Sequence, residues 1–245
     1  MRVGIKGVGF DALTPEEALE RASELAFAPG CKYVVTPNPE IVWLAQKQPE
    51  LREALNGADL VIPDGIGIIY ASRIMGNPLP ARIPGIELAA GLLQRMRDSG
   101  EPVYLLGAKP GVAERAAEQM KALYPGLVIA GVGDGYFQED EPVIQKINAC
   151  KPRLLFVCLG FPRQELWMAK FRDRLDAGIM LGLGGSLDVF AGDVKRAPER
   201  WCRWNLEWFY RLIHQPSRLG RMLKLPVFLL SVVWERVKHG KTNRV

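Results

Sequence analysis

Histidine is nearly missing from this chain of 245 residues: there are two, His214 and His239. That supply leaves no histidine-based metal cluster and no partner for a Ser-His-Asp arrangement, and Ser186 does not stand in a G-x-S-x-G turn. Hydrolase readings therefore have little to rest on. No D-x-D pair occurs of the kind that holds a divalent ion against a sugar nucleotide, so neither a metal nor any other cofactor is expected. The four cysteines, Cys31, Cys150, Cys158 and Cys202, form no C-x-x-C pair and lie in or beside apolar runs. They read as reduced core thiols of a cytosolic protein rather than as disulfides or zinc ligands. Neither G-x-G-x-x-G nor G-K-[ST] is present, which removes the fingerprints of a dinucleotide site and of a P-loop. The long apolar stretch Leu225 to Trp234 is about half the ~20 residues that span a bilayer. No basic segment followed by an apolar one opens the chain, so neither export nor a spanning helix is expected.

What is present suits a folded α/β protein. Apolar residues make up 48% and charged residues 24%, ample for one large core with or without an appendage. The net charge of +5 is unevenly spread: residues 195–245 carry about +9 and residues 1–194 about −4. Four of the six tryptophans (Trp201, Trp204, Trp208, Trp234) share that basic tail. Interleaved Arg and Trp at helical spacing describe an interfacial helix on an anionic membrane surface. Nucleic acid is the weaker reading, because the apolar face Leu223, Leu225, Val227, Phe228, Leu229, Leu230, Val232, Val233, Trp234 serves no phosphate-tracking surface. The expected division is an α/β core over 1–194 and a basic helical appendage over 195–245.

Along the chain, Arg2 to Val8 reads as a strand or hairpin arm, and Thr14-Pro15-Glu16-Glu17 as a capping box opening a helix to about Phe27. Strands are predicted at Cys31 to Val35, Leu60 to Ile62, Val103 to Leu106, Leu127 to Val132, Leu154 to Leu159 and Ile179 to Leu183, with helical patterns between them. This alternation predicts a Rossmann-like, mostly parallel sheet flanked by helices. In such sheets ligands sit outside the carboxyl ends of the strands, and the candidate residues follow from that edge.

Asp64 ends a buried strand in Pro63-Asp64-Gly65-Ile66-Gly67, where it serves either as a helix cap or as a catalytic acid or base. Thr36 and Asn38, in a turn that Pro37 and Pro39 stiffen on either side of Asn38, either cap the next helix or face a ligand beside Asp64. Arg82 lies in a Pro- and Gly-rich loop, solvated or aimed at a phosphate. Gly107 opens a glycine turn that close strand-to-helix packing equally explains. Gln164, in a first helical turn, either hydrogen-bonds a sugar or faces solvent. Gly184 and Asp188 lie in a further glycine turn after the last strand.

The runs Val35-Thr36-Pro37-Asn38-Pro39-Glu40, Pro63-Asp64-Gly65-Ile66-Gly67, Arg82 with Gly85, Leu105-Leu106-Gly107-Ala108, Gly135-Tyr136-Phe137, Gly160-Phe161-Pro162-Arg163-Gln164-Glu165, Gly184-Gly185-Ser186-Leu187-Asp188-Val189 and Lys195-Arg196-Ala197-Pro198 occur in that order. Together they resemble the WecG/TagA/CpsF glycosyltransferases over residues 1 to about 230. The resemblance implies an inverting, metal-independent transfer from a UDP-sugar, typically UDP-N-acetylmannosamine, to the 4-hydroxyl of N-acetylglucosamine on a polyprenyl diphosphate. It places the enzyme on the cytoplasmic face of the membrane, feeding wall teichoic acid or another surface polysaccharide. By match to the family pattern, Asp64 is the base, and Arg82, Arg211, Arg218 and Arg221 neutralise the departing diphosphate. Thr36 and Asn38 hold the donor sugar or base, Gln164 the diphosphate or sugar, with Gly107, Tyr136, Gly184 and Asp188 completing the substrate site. Ile66 and Ile83 depart from the usual pattern, which leaves another UDP-hexose or a UDP-uronic acid open as donor. A non-catalytic nucleotide-sugar-binding protein would share the fold. The sequence leaves the oligomeric state open, a homo-oligomer included.

Overall fold

The computed structural model describes residues 1–195, 197, 198, 201, 210 and 224–242. The chain opens with an antiparallel hairpin, β1 (Arg2–Ile5) and β2 (Val8–Asp11), turned at Lys6-Gly7 with both φ positive. Helix α1 (Pro15–Ala26) starts as its sequence directs. Thr14 Oγ1 accepts from the Glu17 amide at 3.2 Å, Glu17 Oε2 accepts from the Thr14 amide at 2.8 Å, and Pro15 fills the first turn.

There follow β3 (Lys32–Val35), α2 (Pro39–Ala45), α3 (Pro49–Asn56), β4 (Leu60–Val61), α4 (Ile66–Met75) and α5 (Gly85–Ser99). Then come β5 (Val103–Gly107), α6 (Val112–Leu123), β6 (Ile129–Gly133), α7 (Asp140–Cys150), β7 (Leu154–Cys158), α8 (Arg163–Phe171), β8 (Ile179–Gly182) and α9 (Ser186–Phe190). The last described helix, α10, spans Lys224–Thr242.

Strands β3 to β8 form one six-stranded sheet, ordered β4-β3-β8-β7-β5-β6, with every pairing parallel. This is the Rossmann-like α/β fold expected. Residues of β5 and β7 are buried throughout because helices cover both faces of the sheet. Alternate strand residues feed two cores. Tyr33, Val35, Leu106 and Val157 pack with the hairpin, α2, α3, α4, α7 and α8; Val34, Leu105, Phe156 and Leu181 pack with α1, α5, α6 and α9.

The strand order creates the functional edge. Neighbours β3 and β8 hand the chain to helices on opposite faces, α2 to one and α9 to the other, which makes their carboxyl ends the switch point where open α/β sheets have their ligand crevice.

Helix α10 corrects the expectation of a single apolar face turned to a membrane. Phe228 and Val232 are buried against α4 and α2, Leu225 lies against Gly67, and Lys6 Nζ pairs with Glu235 at 2.8 Å. Val227, Leu230, Val233, Trp234 and Val237 point outward and are exposed. The helix is apolar on two sides, one for the core and one for a surface. No helix among the described residues is long and apolar enough to cross a membrane.

Candidate active site

The first wall of the crevice is the turn after β3. Asn38 caps α2, its Oδ1 accepting from the amides of Glu40 (2.9 Å) and Ile41 (3.1 Å), so the capping role proposed for this turn is real. Thr36 does not cap. Its hydroxyl donates to the Gly182 carbonyl at 3.2 Å and ties the end of β3 to the end of β8.

The second wall is the turn after β4. The N-cap of α4 falls on Gly65 (φ +96°) rather than on Asp64, which stands one residue ahead of the cap. A Cβ on Gly65 would lie 3.4 Å from Pro39 and 3.7 Å from the Asn38 Cβ, so the Asp64 turn rests against Asn38 and Pro39. The amide of Ile83 donates to the Pro63 carbonyl at 2.9 Å, which seats the Arg82 loop beside the same turn. At the start of α5, a Cβ on Gly85 would meet Thr36 at 3.1 Å and Leu183 at 3.3 Å. Thr36, Asn38, Asp64 and Arg82, from three separate stretches of chain, are thereby gathered at one carboxyl edge. Asp64 and Arg82 are half-buried, and each interacts with its surroundings.

The remaining candidates divide. Gly107 (φ +134°) is a packing glycine: a Cβ there would stand 2.3 Å from the Cys158 carbonyl oxygen. Ala108 N–H donates to that same carbonyl (3.1 Å) and Gly135 N–H to the Ala108 carbonyl (2.8 Å), which locks together the ends of β5, β6 and β7. Tyr136 is 62% exposed, on a loop that Arg163 holds by a 2.6 Å bond to the Gly135 carbonyl and by stacking over Phe137. Both lie on the same edge as Asp64, but β5 and β6 are separated from β3 by β8 and β7. Gly184 (φ +53°) and the half-buried Asp188 border the crevice at β8.

Gln164 does not face solvent. It is buried, its Oε1 accepts from the Gly184 amide at 2.8 Å, and its Nε2 donates to Glu165 Oε1 at 2.8 Å. The amide acts as a strut behind the β8 turn. Glu165 went unnoticed in the sequence. It is 1% exposed, burial holds its carboxyl proton well above the usual carboxylate range, and its Oε2 has no hydrogen-bond partner among the described residues. An acid in a first helical turn ordinarily reads as a dipole or capping group, so no sequence signal marked it as buried. Arg211, Arg218 and Arg221 lie outside the described residues, as do Trp204 and Trp208. Among the described residues no three His, Cys, Asp or Glu side chains converge as metal ligands.

An aspartate and an arginine on adjoining turns, with a threonine and an asparagine at the same edge, are the residue types that can take a proton from a hydroxyl and hold a phosphorylated leaving group. The family model described as "Glycosyl transferase WecG/TagA/CpsF family" matches residues 3–242. A protein of Bacillus spizizenii is 41% identical over 211 residues, 86% of this chain and 80% of its own length. One of Staphylococcus aureus (strain MW2) is 37% identical over 245 residues, 99% of this chain and 96% of its own. One of Bacillus subtilis (strain 168) is 40% identical over 209 residues, covering 85% and 81% respectively. All three are named N-acetylglucosaminyldiphosphoundecaprenol N-acetyl-beta-D-mannosaminyltransferase.

Proposed function

The chain belongs to the glycosyl transferase WecG/TagA/CpsF family, and from that membership we propose that it moves N-acetylmannosamine from UDP-N-acetylmannosamine to the 4-hydroxyl of N-acetylglucosamine on a polyprenyl diphosphate. The names of its relatives support the acceptor and the sugar. The observation that carries the reading at the level of residues is the gathering of Asp64, Arg82, Thr36 and Asn38 at the carboxyl edge of β3 and β4. Asp64 accepts the proton of the acceptor hydroxyl as that oxygen attacks the anomeric carbon from the face opposite the nucleotide, inverting the configuration. Such a base contributes roughly 10²- to 10⁴-fold. Negative charge grows on the departing UDP, and Arg82 supplies a fixed cation for it. Arg211, Arg218 and Arg221 are proposed to add theirs from the segment between Lys195 and α10, which makes residues 195–245 an appendage that completes the site. Thr36 and Asn38 orient the donor; Gln164 acts through the Gly184 turn, with Gly184 and Asp188 along the donor side, and Gly107 and Tyr136 frame the far end.

The acceptor's lipid stays in the bilayer, so the enzyme must bring its site to the headgroup layer. The outward row Val227, Leu230, Val233, Trp234 and Val237, flanked by Arg236 and Lys238, supports docking on the anionic inner face of the cell membrane. Incubation with a panel of UDP-sugars and a short-chain lipid-linked N-acetylglucosamine, followed by product mass, tests the proposal. A product heavier by one N-acetylhexosamine from UDP-N-acetylmannosamine alone is the expected result. A uronic-acid increment would move the donor, and UDP binding without any product would reduce the protein to a binding module.

A further inference from the structure

Four polar side chains are buried among the described residues: Ser23, Ser72, Gln164 and Glu165. The serines are satisfied by helix carbonyls, Ser23 by Leu19 at 2.7 Å and Ser72 by Ile69 at 2.8 Å. Gln164 and Glu165 instead form a chain that ends on an orphan. Gly184 N–H donates to Gln164 Oε1, Gln164 Nε2 donates to Glu165 Oε1, and Glu165 Oε2 is the buried side-chain oxygen left without a partner among the described residues. Helix α8, which carries both, packs on β3, β7, β8 and α3, and no salt bridge to Glu165 is found among the described residues. A carboxyl in such a place works against stability, and an apolar side chain of similar volume would fill it without stranding an oxygen.

We propose that Glu165 is a positioning residue for the transfer: it is the fixed acceptor that orients the Gln164 amide and so holds the Gly184-Gly185 turn at the crevice. The inference rests on the glycosyltransferase reading above. A glutamine amide has two orientations half a turn apart. With Nε2 anchored on Glu165, its carbonyl faces the Gly184 N–H; reversed, an NH₂ would meet that N–H, donor against donor, and release the turn. Within itself the turn is closed by Ser186, whose amide (3.2 Å) and hydroxyl (2.8 Å) both donate to the Leu183 carbonyl; toward α8 it is the Gln164 carbonyl that the Gly184 amide meets. Nothing lies within 4 Å of a Cβ placed on Gly184, and Gly185 is exposed. Gln164 also lies flush on β8, its Nε2 2.9 Å from a Cβ placed on Gly182, the residue whose carbonyl Thr36 binds. A shift of the amide therefore moves the edge that carries Gly184 and Asp188 past Thr36. Small misplacements of this kind cost up to about 10²-fold in rate.

The test compares Glu165→Gln and Glu165→Met in the full chain. Glutamine keeps an Oε1 acceptor for Gln164, so its kcat should stay within about 3-fold of wild type. Methionine removes the acceptor at similar volume: kcat should fall about 10- to 100-fold, KM for the donor should move less than about 3-fold, and the melting temperature should hold or rise. Hydrogen exchange at the Gly184 amide should quicken in the Met variant and not in the Gln variant. That readout is independent of turnover, so a wild type inactive in the transfer assay counts against the function, whereas unchanged exchange counts against the clamp. The inference is overturned by a Met variant with wild-type kcat, by one that melts well below wild type or does not fold, or by a Gln variant as impaired as the Met variant.

Discussion

Asp64 and Glu165 are two acids whose surroundings give them different work. Asp64 stands half-exposed at a strand end, where a substrate hydroxyl can reach it. Asp64→Asn keeps the shape and removes the base, so kcat should drop about 10²- to 10⁴-fold while UDP affinity, read by calorimetry, stays unchanged. A variant retaining more than a tenth of the activity would remove Asp64 from the mechanism. Glu165 is buried, and burial raises its pKa in the folded state. The folded protein then holds that proton more tightly than the unfolded chain. Stability from this group is fully present below the ordinary carboxyl range and declines as pH rises toward the raised value. Melting curves from pH 5 to 8 should show the Glu165→Gln variant gaining on wild type as pH increases. At this scale Asp64, Thr36 and Asn38 were readable because a polar residue beside Pro or Gly at the end of an apolar run marks a strand's carboxyl end. Glu165 was not, since a helix's first turn looks the same whether it meets solvent or a neighbouring strand.

Among the elements, glycine positions report how closely strands and helices approach. At Gly107 the positive φ and the Cys158 carbonyl, 2.3 Å from a would-be Cβ, leave no room for a side chain. Gly107→Ala should therefore destabilise the protein by several kcal/mol, of the order seen for overpacking combined with backbone strain, and lower the melting temperature well beyond a surface substitution. Gly67 plays the same part for α10: a Cβ there would stand 2.5 Å from Leu225 and 2.6 Å from Pro39. Gly67→Ala should push α10 off α4 and raise proteolysis in residues 224–242 before the sheet itself melts. Several elements were plain in the sequence. Thr14, Pro15 and Glu17 specify the start of α1, and the period-3.6 and continuous apolar runs specify the βα units. The two-sided burial of α10 was hidden, because an apolar row bound for the core and one left at the surface share the same spacing.

For the molecule as a whole, the outward side of α10 is the docking surface proposed for the membrane. A chain ended near Lys195 would bare the α4 and α2 surfaces that Phe228 and Val232 cover, so point changes on the exposed row are the cleaner experiment. Leu230→Asp with Trp234→Asp should lower association with anionic vesicles at least 10-fold, leave the melting temperature unchanged, and impair turnover on a vesicle-borne acceptor more than on a soluble one. Raising salt should weaken wild-type association in the same assay, through screening of Arg236 and Lys238. Undiminished vesicle binding in the double variant would send the docking role elsewhere. The sequence by itself determined the alternation of strands and helices, the places where strands end in Pro, Gly and Asp, and the basic character of the tail, because each of these depends on neighbours within a few residues. Only the tertiary structure decided that β8 lies beside β3, joining Thr36 to Gly182 across 146 positions, that the Arg82 loop seats on the Asp64 turn, and that Gln164 and Glu165 turn inward. Strand order and helix facing are set by how two cores fill on either side of one sheet, and no local stretch of chain carries that information.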